Sequence, residues 1–268
     1  MKIKILEDAF VKEVLLFDKN EIELEKVTLL LGSNSVGKSS LLKALIYSSM
    51  KKDFFKRGRL LHPAAKSIEY LYNVELESDK PTNVLGIFIS DMIFNNESLK
   101  NAIDKGYFGS VIDKYNQDIL SEGQGVFYSI YNFLDHVNSY EYKEDRYYIL
   151  AIDEIDSGLS LDNVRKVARK IKNLANKFPN LYIILSFNNY EFMPIFKYKV
   201  FDMYIGEWRN DLKTYDQFSN YIIENSKDLE KRRKRNMYKR NAYDLFIEDI
   251  HKYREKNYKR LENEKISN

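Results

Sequence analysis

The sequence predicts an α/β fold: a mainly parallel β-sheet sandwiched by helices, a small antiparallel β region near the N-terminus, and a helical extension at the C-terminus. Three observations predict it. Short, continuously apolar runs alternate with longer segments whose apolar residues recur at helical spacing, the order that builds parallel sheets. The 268 residues are 44% hydrophobic, enough for a sizeable core. Residues 227 to 268 carry 14 Lys and Arg against 8 Asp and Glu, leaving 29 against 32 for the rest, so a basic helical segment follows a nearly neutral body.

In chain order, "KIKIL" and "EVLLFD" read as short strands, and "EIELEKVTLLLG" carries a buried strand ending at Gly32. A helix follows over about residues 37 to 50. "KSIEYLYNVELES" alternates as a strand, "DKPTN" turns, and "VLGIFIS" is the next strand. Residues 97 to 117 read as a charged helix, and another helix begins at Ser121 and runs to about residue 138. "YYILAID" and "LYIILSF" are buried-strand runs on either side of an amphipathic helix, with Val164, Val167, Ile171 and Leu174 on one stripe. At the C-terminus, Tyr243, Phe246, Ile250, Tyr253 and Leu261 fall near one helical face. The expected division is a body of residues 1 to 226 and a basic extension of residues 227 to 268.

Cysteine is absent, which excludes disulfides and thiolate-held metals. No run of 18 apolar residues could cross a bilayer, and "MKIKILEDAF" is too short and charged for a secretory signal, so the expected place is the cytoplasm, without membrane insertion.

"GSNSVGKS", Gly32 to Ser39, fills every fixed position of G-x-x-x-x-G-K-[ST] between a buried strand and a helix. Such a loop turns its backbone N–H groups toward phosphates, and the helix adds its positive end. The candidate nucleotide-binding residues are Gly32, Ser33, Asn34, Ser35, Val36, Gly37, Lys38, Ser39 and Ser40. Lys38 reaches the β- and γ-phosphates, and the Ser39 hydroxyl ligates Mg²⁺. "YYILAIDEIDSGLS" places Asp153 at a strand end to hold Mg²⁺, and Glu154 next to it to orient or deprotonate a water. Glu154 and Lys38 are the candidate catalytic residues, with a nucleotide and Mg²⁺ as the implied ligand and cofactor.

Glycine is scarce, with ten in the chain, yet "LSEGQG" holds two. Ser121 and Gln124 have the spacing of a helix capping box, itself compatible with an anion site at a helix tip. Taken together, "GSNSVGKS", "LSEGQ" (Leu120 to Gln124) and "DEIDSGLS" (Asp153 to Ser160) resemble the head of ABC-type ATPases, a P-loop NTPase fold. The chain looks closer to the soluble RecF/SMC-like AAA-family ATPases of DNA repair, mobile elements and phage defence than to transporter heads. The resemblance spans about residues 1 to 210.

It implies a homodimer closed around ATP, with Ser121, Gly123 and Gln124 of one copy meeting the γ-phosphate held by the other. It also implies hydrolysis that gates or drives an effector such as a nuclease, with nucleic acid a candidate partner. Two further readings stand beside it: a nucleotide-gated switch without hydrolysis, and an ATPase subunit of a transporter. The chain departs from the pattern in four places. Asn188 stands where the family usually has a phosphate-sensing histidine, and Ser160 where a loop usually ends in Asp. Ile155 stands where transporter heads usually have proline. No glutamine occurs between Ser39 and Asn116, leaving Asp91, Asn95 and Asn96 as candidates.

Overall fold

A computed structural model of the chain describes residues 1–6, 15–34, 36–46, 74–88 and 122–237. The expected helix at 97 to 117, the C-terminal face from Tyr243 to Leu261, and Asp91, Asn95 and Asn96 lie outside the described residues.

Two sheets organise the chain. The smaller is antiparallel, in the order β2–β1–β4, from β1 (Lys2–Ile5), β2 (Glu21–Glu23) and β4 (Val74–Glu77). The larger has six strands in the order β5–β6–β7–β3–β8–β9: β5 (Thr82–Phe88), β6 (Tyr147–Asp153), β7 (Leu181–Ser186), β3 (Val27–Leu31), β8 (Val200–Asp202) and β9 (Glu207–Arg209). All its pairings are parallel except the β8–β9 edge. A mainly parallel sheet with a small antiparallel region is what the sequence predicts.

Strand alternation splits the core in two. Val27, Leu29 and Leu31 face one side with Leu150, Ile152, Ile183 and Leu185. On that side lie α2 (Glu122–Ser139) and α3 (Leu161–Lys177), through Ile130, Leu134, Val167 and Ile171. Leu30, Ile149, Ala151 and Ile184 face the other side, where α1 (38–46) packs Leu41, Leu42 and Leu45 beside Ile3 and Ile5 of the small sheet. Helix α3 begins at Ser160, whose side chain accepts the Asn163 N–H, and its predicted stripe is the face it buries.

Two details differ from expectation. "EIELEKVTLLL" is two strands in two sheets, because β2 pairs with β1 while β3 pairs with β7 and β8. Residues 15–18 of "EVLLFD" form no strand, since β1 has β2 on one edge and β4 on the other. Leu15 and Phe17 are buried all the same and fill the second core, and the Phe17 ring meets Phe201 edge-on at 5.7 Å. After the short helix α4 (Met193–Phe196), α5 (Tyr215–Met237) carries residues 226 and 227 within one helix.

Candidate functional site

Parallel strands bring their carboxyl ends to one edge, where open α/β sheets bind ligands. Here β7 lies between β3 and β6. The edge therefore presents, side by side, the loop after Leu31, the end of β7 at Ser186, and Asp153 at the end of β6. Segments that the sequence separates by about 115 residues become neighbours because each follows a central strand.

The phosphate loop turns at Gly32, whose φ of +152° suits glycine. A Cβ there would also stand 2.5 Å from Val36 Cγ2. Val36 is fully buried and fastens the loop from below. Lys38 is 6% exposed, and its Nζ donates to the Gly32 carbonyl at 2.5 Å and the Ser33 carbonyl at 3.0 Å. Burial pushes its ammonium down to about 8, against the opposing pull of Asp153, Asp156 and Glu154. Lysine and acids thus share one electrostatic site, although they come from different strands.

The Ser33 Oγ is buried without a hydrogen-bond partner. An orphaned hydroxyl inside a loop of this type fits a phosphate oxygen. The Ser33 N–H donates to the Tyr204 hydroxyl at 2.9 Å, tying the loop to the segment after β8. Asn34 is exposed, Ser39 and Ser40 are half-buried at the start of α1, and Ser35 lies outside the described residues.

Asp153 is 3% exposed and accepts a hydrogen bond from the Ser186 hydroxyl. Glu154 adopts a left-handed backbone, φ +54°, which is sparsely populated for a residue with a Cβ. Burial raises its carboxyl pKa, the neighbouring Asp153 charge raises it further, and a hydrogen bond from the Asn188 side chain acts against both. A carboxylate nudged upward beside a buried acid suits a proton acceptor.

Asp156 is buried too, and burial raises it against the N–H groups of Asn188 (3.0 Å) and Asn189 (2.5 Å) that it accepts. Asn188 is therefore fixed through its backbone on Asp156 and turned through its side chain toward Glu154. Among the described residues no cluster of three or more His, Asp or Glu could hold a metal unaided. Mg²⁺ takes one or two protein oxygens and completes its shell with phosphates and water. Ser39 and Asp153 are the residues that would supply them.

The glycine-rich tip of α2 behaves differently. Ser121 lies outside the described residues; Gly123 is half-buried and Gln124 exposed. A Cβ on Gly123 would come within 2.8 Å of the Gly158 carbonyl, while one on Gly125 would meet nothing within 4 Å. Gly123 is thus accounted for inside its own chain, by close packing on the loop that follows the acid pair.

Sequence reasoning missed Ser186, Asp156 and Tyr204. Ser186 left one trace, a hydroxyl ending an otherwise apolar run, and Asp156 was the third acid of "DEID". Nothing in the sequence tied Tyr204 to a loop 171 positions earlier.

No protein-family model and no curated protein matches the chain. Solved structures do. CbiO1 of Clostridium perfringens, part of the ABC transporter complex CbiONQ, is similar at 16% identity over 85% of this chain and 94% of its own, with a TM-score of 0.41. MJ1267, an ATP-binding cassette of an ABC transporter in its ADP conformation, is similar at 13% identity over 84% and 97%, also with a TM-score of 0.41. The Walker-type ATPase PABY2304 of Pyrococcus abyssi is similar at 14% identity over 64% and 43%, with a TM-score of 0.24. Likenesses this distant carry no chemistry over to this chain.

Proposed function

We propose that this chain is an ABC-type ATPase that binds Mg²⁺ and ATP at the carboxyl edge of its parallel sheet, hydrolyses ATP slowly, and dimerises around it to gate a partner in the cytoplasm. One observation carries the reading: Lys38, Asp153, Asp156 and Glu154 meet in a single electrostatic site above three adjacent parallel strands. The metal, when bound, neutralises charge on the transferring phosphoryl group. Lys38 leaves its own loop carbonyls for the β- and γ-phosphates. The Ser33 hydroxyl takes a phosphate oxygen, Ser39 and Asp153 offer the metal oxygens, and Glu154 accepts a proton from the attacking water. Asn188 holds Glu154 in place, but as an amide it lends the γ-phosphate no positive charge. That supports slow turnover and a switch-like role, with non-hydrolysing gating as the second reading.

The motif order supports a face-to-face dimer, in which the tip of α2, with Ser121, Gly123 and Gln124, closes the partner's site. The expected result is that Glu154→Gln with ATP elutes as a dimer and releases phosphate at least about 100-fold more slowly than the native chain. A Glu154→Gln protein that stays monomeric at micromolar concentration with saturating ATP would sink the dimer. Tight ATP binding by the native chain without phosphate release would favour the switch. Co-purification with an integral membrane protein would favour a transporter subunit.

For the basic extension from residue 227 we propose an acidic partner, nucleic acid foremost, with residues 1 to 226 as the ATPase head. Salt-sensitive DNA binding by the full chain should then be lost in a chain ending at residue 226. Equal affinity of the two would remove the extension from this role. A nuclease-like effector, of the kind seen in DNA repair or phage defence, is the partner class we assign to the dimer.

A further inference from the structure

We propose that Ser186, at the end of β7, is the positioning residue that sets both acids of the site, orienting Asp153 for the metal and holding Glu154 in its left-handed turn. The inference rests on the ATPase reading above and names the group that prepares its acids. Ser186 is fully buried at the end of an apolar strand. Its hydroxyl donates to Asp153 and accepts the Glu154 N–H at 2.8 Å, while its carbonyl accepts the Ile155 N–H at 3.1 Å. One residue thus grips three consecutive positions of the neighbouring strand end.

The chemistry explains why a hydroxyl is needed. The acid pair asks for a donor at one carboxylate and an acceptor at the very next N–H. A hydroxyl is a donor and an acceptor on one atom; a thiol does both weakly, and an amide separates them by more than two ångströms. A left-handed non-glycine backbone persists only where its surroundings over-determine it. At Glu154 they do so through the hydrogen bonds of the Glu154 and Ile155 N–H groups to Ser186 and the turn closed by the Ser157 N–H on the Glu154 carbonyl at 2.9 Å. Loss of the hydroxyl leaves the Asp153 carboxylate able to rotate and the Glu154 N–H unpaired. The metal ligand and the proton acceptor are therefore disturbed together.

The test compares Ser186→Ala and Ser186→Thr with the native chain, each checked by thermal melting. It reads Mn²⁺ affinity by electron paramagnetic resonance with ADP present, ADP affinity without metal, and phosphate release under saturating ATP. In Ser186→Ala, Mn²⁺ affinity and kcat are each expected to fall about 10- to 100-fold, the range for removing the group that orients a metal ligand. ADP affinity without metal stays within about twofold, because the phosphate loop is untouched. Threonine keeps the hydroxyl on a β-branched side chain that a strand accepts, and recovers most of both losses. Native Mn²⁺ affinity and native kcat in Ser186→Ala overturn the proposal, as do losses that only track a fall in folded protein. A native chain that binds neither ATP nor Mn²⁺-ADP overturns the ATPase reading itself, a result distinct from either of those.

Discussion

At Lys38, burial and charge pull in opposite directions, and burial wins. The ammonium sits at about 8 because it has lost water, and three nearby carboxyl groups recover only part of that loss. A bound polyphosphate favours the charged form and so raises this pKa. Binding must then take up a proton between about 8 and the ordinary lysine value. Nucleotide affinity is expected to weaken as pH rises through about 8, with proton uptake measurable by calorimetry in buffers of different ionisation enthalpy. Zero uptake near pH 8.5 would take Lys38 out of the phosphate site. The two glycines of α2 make a second contrast at this scale. Gly125→Ala enters open space within a helix and should stabilise by about 0.5–1 kcal/mol. Gly123→Ala meets a backbone oxygen at 2.8 Å and should lower the melting temperature. Urea or thermal unfolding of the pair checks both signs.

Helices α3 and α5 show how elements hold the site edge from a distance. Helix α3 buries Val164, Val167, Ile171 and Leu174 under β6 and β7, the two strands that end in the acids and Ser186. Ile171→Ala should cost about 2–5 kcal/mol, since the side chain is fully enclosed, whereas Lys172→Ala on the exposed face should stay within about 0.5 kcal/mol. Helix α5 docks through Phe218 and Ile222. Its Tyr221 hydroxyl donates to the fully buried Asp202, which also accepts the Tyr204 N–H at 2.9 Å and lies 3.6 Å from Arg209. Tyr204 in turn holds the Ser33 N–H of the phosphate loop. Tyr221→Phe leaves Asp202 one donor short and should lose about 1–3 kcal/mol in urea unfolding.

Across the whole molecule, the two-sided core separates two tasks. One side stacks α2 and α3 on the sheet and presents the tip of α2 beside the loop after the acid pair. The other joins α1 to the small antiparallel sheet and so supports the phosphate loop from beneath. A chain ending at residue 214 loses Phe218 and Ile222 from the first core and Tyr221 from Asp202. It should unfold at distinctly lower urea concentration than a chain ending at residue 237, which keeps α5 whole. Equal midpoints would show that α5 contributes nothing to the body.

By itself the sequence determined the fold class and marked the glycine-lysine loop and the acid pair as the candidate site. Strand alternation, a glycine-lysine loop between strand and helix, and acids ending an apolar run are all local patterns, legible because backbone sterics and helix ends act over a few residues. Only the tertiary structure decided that Leu15 and Phe17 fill core without forming a strand, that Gly123 packs on Gly158, and that Ser186 grips the acids. Those facts depend on which strands become neighbours. The Ser186 side chain meets a backbone N–H 32 positions away and a carboxylate 33 positions away, across β6 and β7, only once hydrophobic burial has set the strand order and register.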